Sequence, residues 1–317
     1  MKGGSRLALS RLPAGLRVLA HCIFEGTLGM RLLSFATGTT ASFGVVVGAD
    51  VADLGDERVG SLRAALATWG REGLRQRARD STRRIPLSSI LYLPPITNSD
   101  KILCVGLNYY LHAKEAGMAV PERPSIFVRF PGSQVGHDEP VWRPRASAQF
   151  DYEAELAVII GGRGRNVTVD SAMELVFGYS CFAENSVRDY QRHTNQATPG
   201  KNFQFSGAFG PWIVTPDEAG DLKAMKVIGR LNGVEMQNDS VGNMIFSIPQ
   251  LIAYASSFLE LLPGDVIVTG TPAGVGFTKQ PPLYMRSGDT FEVEITGVGV
   301  LRNSVIDEPH FGSDHHA

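Results

Sequence analysis

Cysteine is scarce in this chain of 317 residues: Cys22, Cys104 and Cys181 are the only three, and they lie far apart. An odd, scattered set is neither a disulfide framework nor a zinc spacing, and it points to a reducing, cytoplasmic setting. An excess of one charge is also missing. With a formal net charge of −2 and no Lys/Arg stripe interleaved with aromatics, the chain gives no sign of a nucleic-acid partner. No stretch approaches the ~20 apolar residues of a membrane span. There is no G-x-S-x-G, which disfavours a serine hydrolase. The clusters GVGFTK, GRGRNV and GVGVLRN lack the third glycine and the strand–turn–helix context of a dinucleotide site, so their glycines read as turns. Internal repeats and low-complexity tracts are absent.

What is present is ordinary in bulk. A hydrophobic fraction of 43% and a charged fraction of 20% suit a globular protein with a sizeable core. Glycine is plentiful at 35 residues, so strands and turns are expected in number. Residues 1–29 are basic and almost free of acids, and two readings stand for them. They are a targeting segment, or an extension ahead of a true start at Met30.

From Met30 the pattern predicts short strands in RLLSFATG and ASFGVVVGADVADLG. A helix follows in SLRAALATWGREGLRQRARD, with Leu62, Leu66 and Trp69 on one face. The proline-punctuated stretch to Asp100 suggests a boundary near residue 98. Beyond it, KILCVGLNYY reads as a buried strand and LHAKEAG as a short helical turn stopped by Gly117. RLNGVEMQ carries an Asn-Gly hairpin signal. Helical pattern is read at DSAMELVFGYSCF and at SIPQLIAYASSFLELLPGD, among many strand-like units. The expectation is a small N-terminal domain (30–98), a dominant β region (99–308) with a few packed helices, and a tail (309–317).

Four polar groups stand out beside the strands. In FDYEAELAVIIGG, Asp151, Glu153 and Glu155 share one face of an extended segment. Like charges so placed repel, which leaves an exposed edge, a structural ion pair or a bound cation as explanations. FAENSVRDYQ offers Glu184, Arg188 and Gln191. In NYYLHAKEAG, His112 and Glu115 sit three apart, close enough on a helical turn for the carboxylate to orient the imidazole. TPGKNF holds Lys201, a turn lysine by its simplest reading. Collected, these residues make up a three-carboxylate cation site, an acid–base pair and a cationic stabiliser, the inventory of a metal-assisted enzyme.

These segments, with TPGKNFQFSGAFGPWIVTPDE, NMIFSIPQLIAYASSFLELLPGDVIVTGTPAGVG and GDTFEVEITGVGVLRNSV, follow one another as in the fumarylacetoacetate hydrolase family. The resemblance runs from about residue 100 to 306. It implies an α+β, predominantly β fold: a mixed β-sandwich or roll C-terminal domain with a small N-terminal α/β domain. It also implies Mg²⁺ or Mn²⁺ held by Glu153, Glu155 and Glu184, although the family normally has aspartate where Glu184 stands. Asn185 is then placed for a supporting hydrogen bond. By the same resemblance His112, Glu115 and Lys201 are catalytic. Arg188, Gln191, Thr271 and Arg129 contact substrate, with Arg129 where many relatives carry lysine.

The activity implied is cleavage of a C–C bond in a 1,3-dicarbonyl or acylpyruvate-type acid, with His112 taking a proton from water and Lys201 stabilising the oxyanion. Other members of the fold act as decarboxylases, hydratases, isomerases or tautomerases of 2-oxo acids in aromatic catabolism, so those readings stay open, as does an inactive scaffold. The expected partners are a small oxo acid or diketone and a second copy of the chain in a homodimer.

Overall fold

The computed structural model describes residues 29–310. The expectations for residues 1–28, Cys22 included, and for the tail beyond His310 lie outside the described residues. Strands β1 (Arg31–Thr37), β2 (Thr40–Val47) and β3 (Asp50–Asp53) form an antiparallel meander. Helix α1 (Leu62–Asp80) is started by Ser61, whose side chain accepts from the Ala64 N–H. It buries Leu62, Leu66 and Leu74, with Trp69 partly covered on the same core, and it kinks at Gly70 where φ is +59°. β4 (Arg84–Pro86) pairs with β3, and β5 (Leu91–Leu93) pairs with β1.

Next come β6 (Ile102–Gly106), helix α2 (Tyr110–Glu115), β7 (Ser125–Arg129), β8 (Gln134–Val135) and β9 (Val141–Arg143). They are followed by β10 (Phe150–Asp151), β11 (Ala154–Ile160), β12 (Val176–Ala183) and β13 (Ser186–Val187). Two single turns, α3 (Arg188–Gln191) and α4 (Thr198–Lys201), lead to β14 (Gly207–Val214). After a further single turn at Pro216–Ala219, β15 (Lys226–Leu231), β16 (Val234–Ser240), α5 (Ile248–Phe258), β17 (Val266–Val268), β18 (Thr290–Ile295) and β19 (Gly299–Asp307) follow.

The large sheet runs β4-β3-β2-β1-β14-β12-β11-β17-β6-β7, with β5 and β8 attached at its side. A second, five-stranded sheet runs β16-β15-β18-β19-β9. The chain is therefore mostly sheet, as the sequence pattern leads one to expect. β1 is hydrogen-bonded to β14, pairing Leu32 with Ile213, so the N-terminal strands prolong the main sheet. The main sheet is therefore continuous across the expected boundary near residue 98.

β11 and β12 are buried along their whole length. Leu156, Val158 and Ile160 feed the core shared with the second sheet, while Ala157 and Ile159 feed the core under α1. A strand covered on both faces reads as a continuous apolar run. Each such Leu, Val or Ile contributes about 1.5–3 kcal/mol of burial. The same property overturns one helical expectation. In DSAMELVFGYSCF, Asp170 and Ser171 form a turn, Ala172–Leu175 a 3₁₀ helix, and Val176 to Phe182 belong to β12. Asn232 and Gly233, both at positive φ, close the β15–β16 hairpin in two residues, as their dipeptide predicts.

Candidate active site

Strand direction assembles the site. β11 is antiparallel to both β12 and β17, and β17 is parallel to β6. The start of β11 therefore lies beside the ends of the other three. Glu153 and Glu155 come from that start, Glu184 from just past β12, Gly270 and Thr271 from just past β17, and His112 from the helix that follows β6. The Glu184 N–H donates to the Glu153 carbonyl at 2.9 Å, which locks the two acidic residues side by side.

The three glutamates line a cavity of about 370 Å³ together with His112, Arg188 and Lys201. Glu153, Glu155 and Glu184 are all buried, and one carboxylate oxygen from each lies within 4.8 Å of the others. The exposed-edge reading of the Glu153/Glu155 pair is thereby removed. Lys201 is also buried, not a solvated turn lysine: its Nζ donates to Glu153 Oε2 at 2.6 Å and to Glu184 Oε2 at 3.1 Å. Arg188 places Nη1 2.7 Å from Glu153 Oε1 and donates through Nε to Asp151 Oδ2 at 2.7 Å.

These contacts set the charges. Burial alone pushes Glu153 up, but Lys201 and Arg188 outweigh it and hold the carboxyl far below its usual range. Glu155 goes the other way. Burial, then the neighbouring Glu184 and Glu153, push it well above the ordinary value, against which it has one backbone donor, the Gly270 N–H at 2.6 Å. Glu184 is raised as well, chiefly by burial. Desolvation works to neutralise Lys201, yet Glu153 and Glu184 prevail and raise it, so it stays a cation.

The polar cluster fits a divalent cation. Four buried carboxylates, counting Asp151, face three buried cations, counting Arg129, and one oxygen, Glu184 Oε1, is buried without a hydrogen-bond partner. Oxygen donors with unmet negative charge are what Mg²⁺ or Mn²⁺ prefers. Glu184 thus reaches the other two carboxylates despite the extra methylene relative to aspartate. Asn185 does not support it by a side-chain bond, because its Nδ2 donates to the Ser206 carbonyl.

Facing the acids, His112 Nδ1 lies 2.9 Å from Glu115 Oε1. Glu115 also accepts from the Gly274 N–H and from Thr278 Oγ1. Burial would raise it, but the His112, Gly274 and Thr278 hydrogen bonds keep its pKa below the usual value. A carboxylate only accepts, so it fixes the neutral imidazole with the proton on Nδ1 and a lone pair on Nε2.

The remaining expected residues divide. Gln191 lines the cavity and accepts from Arg188 Nη1 at 3.0 Å. Thr271 lines it too, but its hydroxyl donates to the Ala154 carbonyl and accepts from Gln237 Nε2. Arg129 is placed away from the expected substrate contact. It is 1% exposed behind the cluster, donating to the Asn185 carbonyl and to Ser206 Oγ. Sequence reasoning does not single out Gln237 or Asp151 as builders of the site. For Asp151 the alternating 151/153/155 pattern is the available signal; Gln237 gives none, because it arrives from the second sheet.

A family model described as fumarylacetoacetate (FAA) hydrolase C-terminal matches residues 101–306. The chain belongs to the fumarylacetoacetate hydrolase family. It is 40% identical over 224 residues to the human oxaloacetate tautomerase FAHD2A, mitochondrial, covering 70% of this chain and 71% of the relative. Among solved structures, the fumarylacetoacetate hydrolase EaFAH from psychrophilic Exiguobacterium antarcticum superposes with a TM-score of 0.77 at 34% identity, over 88% of this chain and all of that one. A maleylpyruvate hydrolase from Sphingobium sp. SYK-6, in complex with manganese(II) and pyruvate, gives 0.73 at 28% identity, over 88% of this chain and all of that one. These family relatives are enzymes acting on small molecules. No helix among the described residues is long and apolar enough to cross a membrane.

Proposed function

We propose that this protein is a divalent-cation-dependent enzyme that moves a proton between carbon and solvent on a 2-oxo acid, interconverting its keto and enol forms. The observation that carries this reading is that His112, hydrogen-bonded to Glu115, lines one cavity with the three glutamates. The identity to oxaloacetate tautomerase supports it. Glu153, Glu155 and Glu184 would hold Mg²⁺ or Mn²⁺. The cation, when bound, supplies Lewis-acid charge to the oxygen on which negative charge develops.

The chain's own groups do the rest. His112, with its proton fixed on Nδ1 by Glu115, offers Nε2 as the base for the carbon-bound proton next to the carbonyl. Returning that proton to carbon or leaving it on oxygen decides the tautomer. Lys201 spends two of its three N–H donors on Glu153 and Glu184 and keeps one for the substrate oxygen. Because it remains a cation, it stabilises charge and does not act as a base.

A second reading, hydrolysis of an acylpyruvate-type C–C bond, uses the same pair to activate water. The likeness to EaFAH over 88% of the chain favours it. One assay separates the two. Chelator-stripped protein is reloaded with Mg²⁺ or Mn²⁺, and the decay of the enol absorbance of oxaloacetate is followed beside release of pyruvate from fumarylpyruvate. Faster enol decay without cleavage supports the tautomerase, and pyruvate release supports the hydrolase. If neither depends on the cation, both readings fall. His112→Gln should lower the productive rate by roughly 10²–10⁴-fold while leaving cation binding by calorimetry unchanged.

A further inference from the structure

One cation of the cavity has no anion. Arg192 follows Gln191 at the end of α3 and lines the cavity from its exposed rim. It stands four residues after Arg188, a spacing that puts two like charges on one side of a turn and is ordinarily unfavourable. The two differ in what neutralises them. Arg188 is buried against Asp151 and Glu153. The Arg192 guanidinium, among the described residues, has no hydrogen bond or ion pair, and it packs over the ring of Phe277.

Phe277 serves both arginines: the Arg188 guanidinium carbon lies 4.6 Å from the ring centroid and that of Arg192 5.0 Å. The backbone that carries the ring is held in place, because the Phe277 N–H donates to Asp151 Oδ2 and the Gly276 N–H to Asp151 Oδ1. The nearest acid in sequence, Asp189, is already engaged by Ser147 Oγ and the Tyr190 N–H. A stacked arginine is pre-organised, with its N–H edge left free, and a planar fork of that kind matches a carboxylate.

From this arrangement we infer that Arg192 reads a second, distal carboxylate of the substrate, so that the cavity takes dicarboxylic 2-oxo acids in preference to monocarboxylic ones. The 2-oxo end lies inward at the glutamates and the distal carboxylate at the rim, where Phe277 holds the guanidinium in line. The choice of a 2-oxo acid for the inner end rests on the enolisation reading. The selection by Arg192 does not.

The test compares two unreactive probes that differ only at the distal end, L-malate and 2-hydroxybutyrate, titrated by calorimetry into Mg²⁺-loaded full-length protein. A charge-assisted pair at such a site corresponds to roughly tenfold or more in affinity. Wild type should bind malate tighter by about that factor, Arg192→Gln should bind the two alike, and Arg192→Lys should keep part of the preference. Oxaloacetate turnover in the same samples should show the loss in KM and not in kcat.

If Arg192→Gln keeps the full preference, the inference is overturned and the unpartnered Nη2 of Arg188 becomes the carboxylate reader. If wild type shows no preference or binds neither probe, it is overturned outright. If the preference disappears in the variant but no keto–enol activity is found in wild type, the inference stands and the enolisation reading fails. If wild type is active and the variant keeps the preference, the enolisation reading stands and the inference fails.

Discussion

Two ends of one buried charge cluster are built on opposite rules. At the Asp151 end, the carboxylate is fully buried and each of its oxygens has two donors. Oδ1 accepts from the Tyr152 and Gly276 N–H groups, and Oδ2 from Arg188 Nε and the Phe277 N–H. At the Glu155–Glu184 end, a few residues away, Glu155 has one backbone donor and two repelling neighbours, and Glu184 keeps an oxygen with none. Burial is the same at both ends. What separates them is satisfaction: a fully bonded carboxylate holds the structure together, and an under-bonded one leaves unmet charge that a cation can meet.

That contrast should appear as opposite effects on stability. Glu155→Gln should abolish the response to Mg²⁺ or Mn²⁺ and lower turnover by roughly 10³-fold or more, the several kcal/mol that a Lewis-acid centre supplies. The cation-free variant should nonetheless melt no lower than cation-free wild type, because a repelled buried charge has been removed. A drop of several degrees by calorimetry would mean that the Glu155 carboxyl stabilises the cation-free fold. Asp151→Ala should do the reverse. It leaves Arg188 Nε and three backbone donors without an acceptor, with Glu153 as the one remaining carboxylate on Arg188, so denaturant unfolding should show a loss of about 3 kcal/mol. Wild-type stability in that variant would mean that the Asp151 end is not the scaffold we describe.

The same contrast explains which parts of the site are legible in the sequence. Glu153 and Glu155 are legible because period two puts them on one face, and His112 with Glu115 because a helical turn spans three residues. Their chemistry is local in the chain. Lys201 is legible only through resemblance, since TPGKNF looks like a solvated turn and its burial is made by Glu153 and Glu184, 48 and 17 residues away. Arg129 escapes the sequence for a related reason: whether a guanidinium faces the cavity or the wall behind it depends on where Ser206 and Asn185 arrive. Phe277 carries no signal, because an aromatic in a glycine loop gains meaning only when the strands bring it to the cavity, and Arg192 is legible only as the first residue of an insert-like loop, RHTNQATPG, beside the site. The strand at 176–183 is hidden by the ambiguity of short apolar runs, which match a buried strand and a buried helix equally well.

A smaller effect sharpens the picture at the edge of the cluster. Glu115 is more exposed than either Asp151 or Glu155, yet it resembles Asp151 in being well supplied with donors, from His112, Gly274 and Thr278. Those hydrogen bonds hold its folded-state pKa below its ordinary 4.5. A depressed carboxylate contributes stability that is complete above the unfolded value and is lost as pH falls through the folded one. Wild type should therefore lose this part of its stability only below about pH 4.5, and Glu115→Gln should lack it at neutral pH and show a shallower acid slope. The amide can still accept from His112 Nδ1, so the imidazole keeps its tautomer but loses the charged partner of its hydrogen bond. Turnover should fall by on the order of tenfold, less than for His112→Gln. A Glu115→Gln variant with an unchanged acid slope and a rate as low as that of His112→Gln would mean that Glu115 takes part in the proton transfer itself and not only in aiming it.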